Sequence, residues 1–225
     1  MRRGKNYKKA QECFEQIKAY SVDEALEILS KFPKTKFDES VEVHVRLNLD
    51  SKKSDQQVRG TVNLPHGTGK TLRIAAFTET QVTEAKKAGA DLVGGEELIE
   101  KISNGKVDDF EVAVATPEMM PKLAKVAKIL GPKGLMPNPK SETVGLKITP
   151  MIEGLKKGKA SFKNDNGGNI HQVVGKRSFD VGQLKENTEA FLKSIRKMKP
   201  TAVKGKLIKK VTVTATMSPS ITVKA

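Results

Sequence analysis

Tryptophan is missing from the 225-residue chain, and the only aromatics are 2 tyrosines and 8 phenylalanines. An aromatic-platform RNA module needs a glycine-flanked aromatic strand on which bases stack, and no such strand occurs. A single cysteine, Cys13, permits no internal disulfide and fits a reducing cytosol. The longest purely apolar runs, such as Val112-Ala113-Val114-Ala115, fall far short of the roughly 18 residues a membrane helix needs. The basic start Met1-Arg2-Arg3-Gly4-Lys5 resembles a signal peptide. However, Glu12, Glu15 and Lys18 interrupt the apolar region that would have to follow, so export is not encoded. Membrane-embedded, disulfide-rich and secreted classes are thereby excluded.

Acidic residues are also in short supply. Asp and Glu number 26 against 41 Lys and Arg, a formal net charge of +15. That balance is the electrostatic footprint of a phosphate-backbone binder. An anionic membrane surface would call for a basic amphipathic helix with bulky apolar residues, and none stands out. The excess is uneven: residues 1–66 carry +3, residues 67–159 carry +3, and residues 160–225 carry +9. The C-terminal third is the place to look for phosphate contacts. Hydrophobic residues at 37 %, with 18 glycines besides, still suffice for a packed core.

Local patterns divide the chain in the same three parts. After a basic, frayed start, Ser21-Val22-Asp23-Glu24 is a capping box, and Ala25, Leu26, Ile28, Leu29 and Phe32 give a helical apolar face ended by Pro33. Val41, Val43, Val45, Leu47 and Leu49 alternate with polar residues, the period of a half-buried strand. In the middle third, strands at Arg73–Phe77, Ala90–Val93 and Phe110–Ala115 alternate with helices over Thr80–Ala88, Glu96–Ser103 and about Met120–Ile129. Strand and helix at this spacing predict βα units around a small parallel sheet. In the last third Asp180 and Gln183 open a helix whose face carries Leu184, Phe191, Ile195 and Met198 until Pro200, and Val211–Met217 reads as a strand. The outer thirds are α+β and the centre is α/β, a pattern that fits a central domain inserted into a discontinuous outer one.

Catalytic motifs fail one by one. Gly67-Thr68-Gly69-Lys70-Thr71 invites a phosphate-loop reading, but the motif needs glycine where Leu64 stands, and Pro65 and His66 intervene before it. It reads as a flexible turn. The three histidines, His44, His66 and His171, are scattered and lack partners at metal-ligand spacing, so no zinc site is expected. Neither a Gly-x-Ser-x-Gly elbow nor a His-Glu-x-x-His pair occurs. The adjacent acids Glu96-Glu97 and Asp108-Asp109 read as exposed helix starts or loops. No enzyme, metal or cofactor is predicted.

The segment Gly131–Lys140 packs three prolines and two glycines into ten residues, which encodes a stiff, particular loop. From Ile129 to Lys140 it reads ILGPKGLMPNPK, and this closely resembles the signature of the bacterial ribosomal protein L-one family, proteins of the mobile large-subunit stalk. The resemblance covers nearly the whole chain. It includes Lys36–His44 (KFDESVEVH), Asp55–Val62 (DQQVRGTV), Gly89–Gly95 (GADLVGG) and Thr216–Ser220 (TMSPS).

The resemblance implies two domains: an α+β RNA-binding domain built from residues 1–66 and 160–225, and an inserted Rossmann-like α/β domain over 67–159, with hinge connections near His66-Gly67 and Lys159. On that division the outer domain carries +12 and the central one +3, so charge independently favours the outer one as RNA binder. By resemblance the RNA contacts come from the strand matching Lys36, Phe37, Ser40 and Glu42 and from the loop matching Thr216, Met217 and Ser218, where the family commonly has glycine in place of Ser218. Lys36 can meet a phosphate, Ser40 and Thr216 can donate to phosphate or 2′-hydroxyl groups, and Phe37 and Met217 can pack against sugars. Glu42 can accept from a 2′-hydroxyl, a base amino group or an amide. The alternative for Phe37 and Met217 is ordinary core packing. The function implied is structural: binding large-subunit rRNA in the cytoplasmic ribosome, assisting release of deacylated tRNA from the exit site, and repressing translation of its own operon's mRNA, the free protein being a monomer. The competing classes are an enzyme built on the central α/β domain and a DNA-binding architectural protein.

Overall fold

The computed structural model describes residues 4–50, 53–105, 110–203 and 205–224; the pair Asp108-Asp109 lies outside them. In chain order the elements are α1 (Lys5–Glu12), α2 (Val22–Lys31), β1 (Ser40–Leu47), β2 (Arg59–Asn63), β3 (Ile74–Phe77), α3 (Val82–Lys87), β4 (Leu92–Gly94), α4 (Glu96–Ser103), β5 (Val112–Ala115), α5 (Met120–Leu123), α6 (Ala127–Leu130), α7 (Ile148–Lys156), β6 (Lys159–Lys163), β7 (Asn169–Lys176), α8 (Val181–Lys197), β8 (Ile208–Ala215) and β9 (Ile221–Val223). The fold is mixed α/β, as the patterns predict. Contacts divide it into two compact units, Met1–Gly69 with Ala160–Ala225, and Lys70–Lys159.

The terminal unit is built on a four-stranded sheet, β7-β1-β8-β9, in which every neighbouring pair is antiparallel. Along β1 the odd-numbered Val41, Val43, Val45 and Leu47 are buried, while the even positions are not. The buried row joins one core with Leu26 and Leu29 of α2 and Phe191 and Ile195 of α8. Both helices start on complete capping boxes, Ser21 with Glu24 and Asp180 with Gln183, which satisfy N–H groups that would otherwise lack partners. The Ser21 amide and hydroxyl hold the Glu24 carboxyl below its ordinary range. A two-stranded pair, β2 with β6, completes the unit. At Gly60 of β2 the Met198 thioether lies directly against the bare Cα, in the space a Cβ would take. His66 N–H donates to Asn187 Oδ1 at 3.1 Å and Asn187 Nδ2 returns a bond to the Gly67 carbonyl at 2.9 Å, so the chain leaving Leu64 is pinned to α8.

The central unit is a three-stranded parallel sheet in the order β4-β3-β5. All four residues of β3 are buried. Ala75 and Phe77 face a core with α4, α5 and α6, whereas Ile74 and Ala76 face a second core with α3 and α7. A strand covered on both faces has no alternation to show, which is why Ile74–Phe77 reads as a continuous apolar run.

Several boundaries differ from expectation, among them those of α3, β4 and β5 by one or two residues. Of the basic start, Met1–Arg3 lie outside the described residues, and from Lys5 the chain forms α1 rather than fraying, with Ala10 buried against the core. The first strand stops at Leu47, because Asn48 turns to donate to the Leu207 carbonyl at 2.7 Å. The expected helix over Met120–Ile129 is broken into α5, a 3-10 turn at Ala124–Val126, and α6. Pro117 and Pro121 supply no N–H to this stretch, yet Met119, Leu123, Val126 and Leu130 keep one buried face. The last long strand ends at Ala215, so Thr216 and Met217 occupy a turn.

Candidate nucleic-acid interface

The two segments singled out in sequence meet where β1 begins and β8 ends. Register pairs Val41 with Ala215, which places Ser40 against Thr216. Thr216 N–H donates to the Ser40 carbonyl at 3.1 Å, Ser40 N–H donates to Thr216 Oγ1 at 3.1 Å, and Lys176 Nζ donates to Ser40 Oγ at 3.0 Å. Beyond it Ser218 closes the turn, its hydroxyl accepting from Ala215 N–H at 2.9 Å and its carbonyl accepting from Thr214 Oγ1 at 3.1 Å. Glu142 is the one described non-glycine residue with positive φ, so serine at position 218 is accommodated without left-handed backbone.

Beneath the junction lies a buried ion pair. Glu39 is 1 % exposed, and its Oε2 accepts from Arg177 Nη1 at 2.6 Å while its Oε1 accepts from Met217 N–H at 3.1 Å. The same guanidinium donates to the carbonyls of Pro33, at 3.0 Å, and Phe32. Asp38 accepts from the Ser178 hydroxyl at 2.8 Å and from its amide at 3.2 Å. One buried carboxylate and one guanidinium thus tie together the exit of α2, the start of β1, the chain after β7 and the turn after β8. Buried charge is retained only when paired and hydrogen-bonded in this way.

On this anchored base Phe37 and Met217 stand 54 % and 62 % exposed, so the core-packing alternative does not hold for either. Two open grooves flank Glu39. One, of about 750 Å³, is lined by Lys5, Tyr7, Phe32 and Met217; the other, of about 500 Å³, by Lys34, Phe37, Asp38 and Arg177. Lys36 and Phe37 occupy a bend before β1 rather than the strand itself, and both are exposed. Glu42 lies on the uncovered face of the sheet between Val173 and Thr214. Ser40, Glu42, Thr216, Met217 and Ser218 are therefore brought together at one end of the sheet, with Lys36 and Phe37 on the adjoining bend.

Glu39 and Arg177 escaped the sequence reading. A signal existed for Glu39: it shares the odd-numbered phase of Val41, Val43 and Val45, and a carboxylate in a buried phase demands a partner. Nothing in the sequence points to Arg177 as that partner, 138 residues away. The view of the histidines as scattered also needs correction, since antiparallel pairing sets His44 directly opposite His171. Among the described residues no group of three metal-ligating side chains converges.

Gly67 and Gly69 of the phosphate-loop-like run take positive φ at the end of the terminal unit's first segment, and in the central unit Lys70 pairs with Glu111 at 2.6 Å. The carboxyl ends of a parallel sheet are where such folds usually hold ligands. Here Lys122 lies across that end, 2.6 Å from Glu79 and 3.2 Å from Glu96. Its hydrogen bond to Glu79 raises its pKa above the ordinary lysine value.

A basic terminal unit with a rigid, apolar-tipped junction and a capped, ion-paired central sheet define a structural binding protein. Comparison with known proteins makes the class specific. Residues 29–219 match the model of the ribosomal protein L1p/L10e family. The chain is 49 % identical over 221 residues to the large ribosomal subunit protein uL1 of Kosmotoga olearia, covering 98 % of this chain and 95 % of that protein. It is 49 % identical over 219 residues to uL1 of Mycoplasma capricolum, with 97 % of each covered, and 47 % identical over 218 residues to uL1 of Fervidobacterium nodosum, with 96 % and 93 % covered. The chain belongs to the ribosomal protein L1p/L10e family. Ribosomal proteins of this family are structural and not enzymes, in agreement with the failure of every catalytic motif.

Proposed function

We propose that the chain is an rRNA-binding protein of the large ribosomal subunit in the cytoplasm, with the Ser40–Thr216 junction of its terminal unit as the RNA surface. The observation that carries this reading is the exposure of Phe37 and Met217 on a backbone fixed by the Glu39–Arg177 pair. Exposed apolar side chains on a rigid base are suited to sugar faces, and Lys36, Ser40 and Thr216 beside them are suited to phosphates and 2′-hydroxyls. Residues 1–66 and 160–225 act as the RNA-binding domain, and 67–159 as an inserted domain. On the ribosome the protein belongs to the mobile stalk and assists release of deacylated exit-site tRNA. Unassembled, it is a monomer that represses its own operon by binding the messenger through the same surface. Each relative named above is a large-subunit protein, which supports the ribosomal part of the reading.

Binding to large-subunit rRNA over a range of salt concentrations tests the site. Met217→Ala and Phe37→Ala each weaken binding by ~1–3 kcal/mol, the scale of a lost apolar contact, with the salt slope unchanged. Lys36→Ala weakens binding and lowers the slope by about one charge. Retention of full affinity by a folded Met217→Ala, Phe37→Ala double variant refutes the surface. Messenger RNA competes with rRNA for the same residues and binds more weakly; a ternary complex with both RNAs contradicts the shared surface.

A further inference from the structure

The stiff motif over Ile129–Lys140 takes no part in the Ser40–Thr216 junction; it lies in the central unit. Its charge is one-sided. Between Glu118 and Glu142 stand five lysines, at 122, 125, 128, 133 and 140, and no acid. The +3 of residues 67–159 therefore divides into +5 on residues 119–141 and −2 on the remainder. The fold sets this stretch apart. Ala115 N–H donates to the Thr143 carbonyl at 3.0 Å, and Gly145 N–H donates to the Ala115 carbonyl at 3.2 Å. The chain leaves the sheet after Ala115 and returns to pair with that same residue, so residues 116–143 form a closed excursion from the edge strand β5.

Within the excursion the backbone is fixed. Met119, Leu123, Val126 and Leu130 bury one face, and Lys125 and Lys128 take exposed positions between them. Gly134, at φ 72°, then reverses the chain. Its N–H donates to the Gly131 carbonyl and Leu135 N–H donates to the Leu130 carbonyl, both at 3.0 Å, with Lys133 exposed on the turn. Asn138 organises the return. Its Oδ1 accepts from Lys140 N–H at 2.8 Å, its carbonyl accepts from Ser141 N–H at 3.0 Å, and its own N–H donates to Thr143 Oγ1 at 2.8 Å. A backbone already ordered in this way loses little entropy when its side chains take hold of a partner.

Internal pairing does not account for these cations. Lys122 is taken up by Glu79 and Glu96, and Glu142 turns to Lys159. Lys125, Lys128 and Lys140 are exposed and meet no carboxylate among the described residues. An ordinary surface intersperses both signs, whereas a field of one sign draws a polyanion. Composition selects the polyanion. Residues 119–141 include no aromatic residue and no arginine, the types that protein interfaces favour while lysine is depleted there, and stacked bases need aromatics as well. Lysine is a point charge suited to phosphate. We propose that residues 119–141 form a second RNA surface, which holds the phosphate backbone of a folded RNA other than the one at the Ser40–Thr216 junction. Lys125, Lys128, Lys133 and Lys140 supply the contacts, and no base sequence is read.

Titrating the full-length, nitrogen-15-labelled chain with a short RNA duplex unrelated to large-subunit rRNA tests the surface residue by residue. The amide resonances of Lys125, Lys128, Lys133, Gly134 and Lys140 shift together and saturate. The affinity they report falls at least tenfold between about 50 and 200 mM salt, as released counterions require. The Lys125→Gln, Lys128→Gln double variant lowers it about tenfold at the lower salt with circular dichroism unchanged. A Lys86→Gln, Lys87→Gln double variant removes the same charge from exposed positions on α3 and lowers it about twofold at most. With an rRNA fragment bound beforehand, the duplex still shifts the same amides. An equal loss in the α3 variant reduces the effect to net charge and overturns the surface. Displacement of the duplex by rRNA assigns the lysines to the first RNA, and tighter binding of poly-glutamate at these amides makes them a protein contact; either result overturns the proposal.

Discussion

The two units contain sheets of opposite design, and the difference decides which of them has a surface to offer. In the central unit β3 is parallel to both neighbours and covered on both faces, so its apolar residues are consumed by two cores. In the terminal unit the antiparallel sheet packs one row of β1 against α2 and α8 and leaves Ser40, Glu42, His44 and Arg46 on the other side. A one-sided sheet carries its own polar face. Charge follows the same division: the terminal unit holds +12 of the +15 total. Exposed Phe37 and Met217 lie in that unit as well.

Separating the units is the strongest way to break this comparison. A chain joining residues 1–69 directly to 160–225 retains most of the affinity for large-subunit rRNA, whereas 70–159 alone loses at least 100-fold, about 3 kcal/mol. Strong specific binding by the central piece, measured by filter binding or calorimetry, breaks it.

Core substitutions sharpen it. Glu39→Ala leaves the Arg177 guanidinium buried without its carboxylate and removes the acceptor of Met217 N–H. It lowers stability by ~3–5 kcal/mol and weakens RNA binding under conditions where the protein remains folded. Phe77→Ala in the central unit opens a cavity at a comparable ~3–5 kcal/mol but leaves rRNA affinity unchanged. Denaturant melts paired with binding curves separate the two, and equal losses of affinity would show that RNA binding draws on both units.

A smaller effect concerns pH. The pKa of His44 is depressed in the fold, chiefly by burial, so between the ordinary value of about 6.5 and its folded value the unfolded chain binds more protons. Stability is therefore full above that window and declines as pH falls through it. His44→Gln removes this part of the slope, seen in melts from pH 7.5 to 5, while the central unit's response is unaltered. An identical slope in the variant contradicts the assignment.

Much of the fold was legible because the signals are local. The Ser21–Glu24 and Asp180–Gln183 boxes span four residues each, the alternation of β1 repeats every two, and the βα units of the centre are punctuated by Gly89 and Gly105, both of which take positive φ. Where reading failed, the local pattern was incomplete or misleading. The break between α5 and α6 lies in a helix that keeps its apolar face throughout, so periodicity alone could not reveal it. β7 went unread because a bulge opposite Val41–Glu42 shifts its phase and spoils the alternation. For the candidate site, resemblance supplied the residues, and neither charge nor pattern indicated that Phe37 and Met217 would be exposed.

By itself the sequence determined the charge and its concentration in the two chain ends, the caps and apolar faces of the principal helices, and the change from α+β to α/β and back. Each of these depends on residue type or on spacings within a few positions. Only the tertiary structure decided that Ser40 would bond to Thr216, 176 residues away, that Glu39 would find Arg177, and that His44 would face His171. Those pairs are set by strand register. Register depends on how all four strands bury their apolar rows together against α2 and α8, and a shift of one residue would turn every one of these side chains to the opposite face.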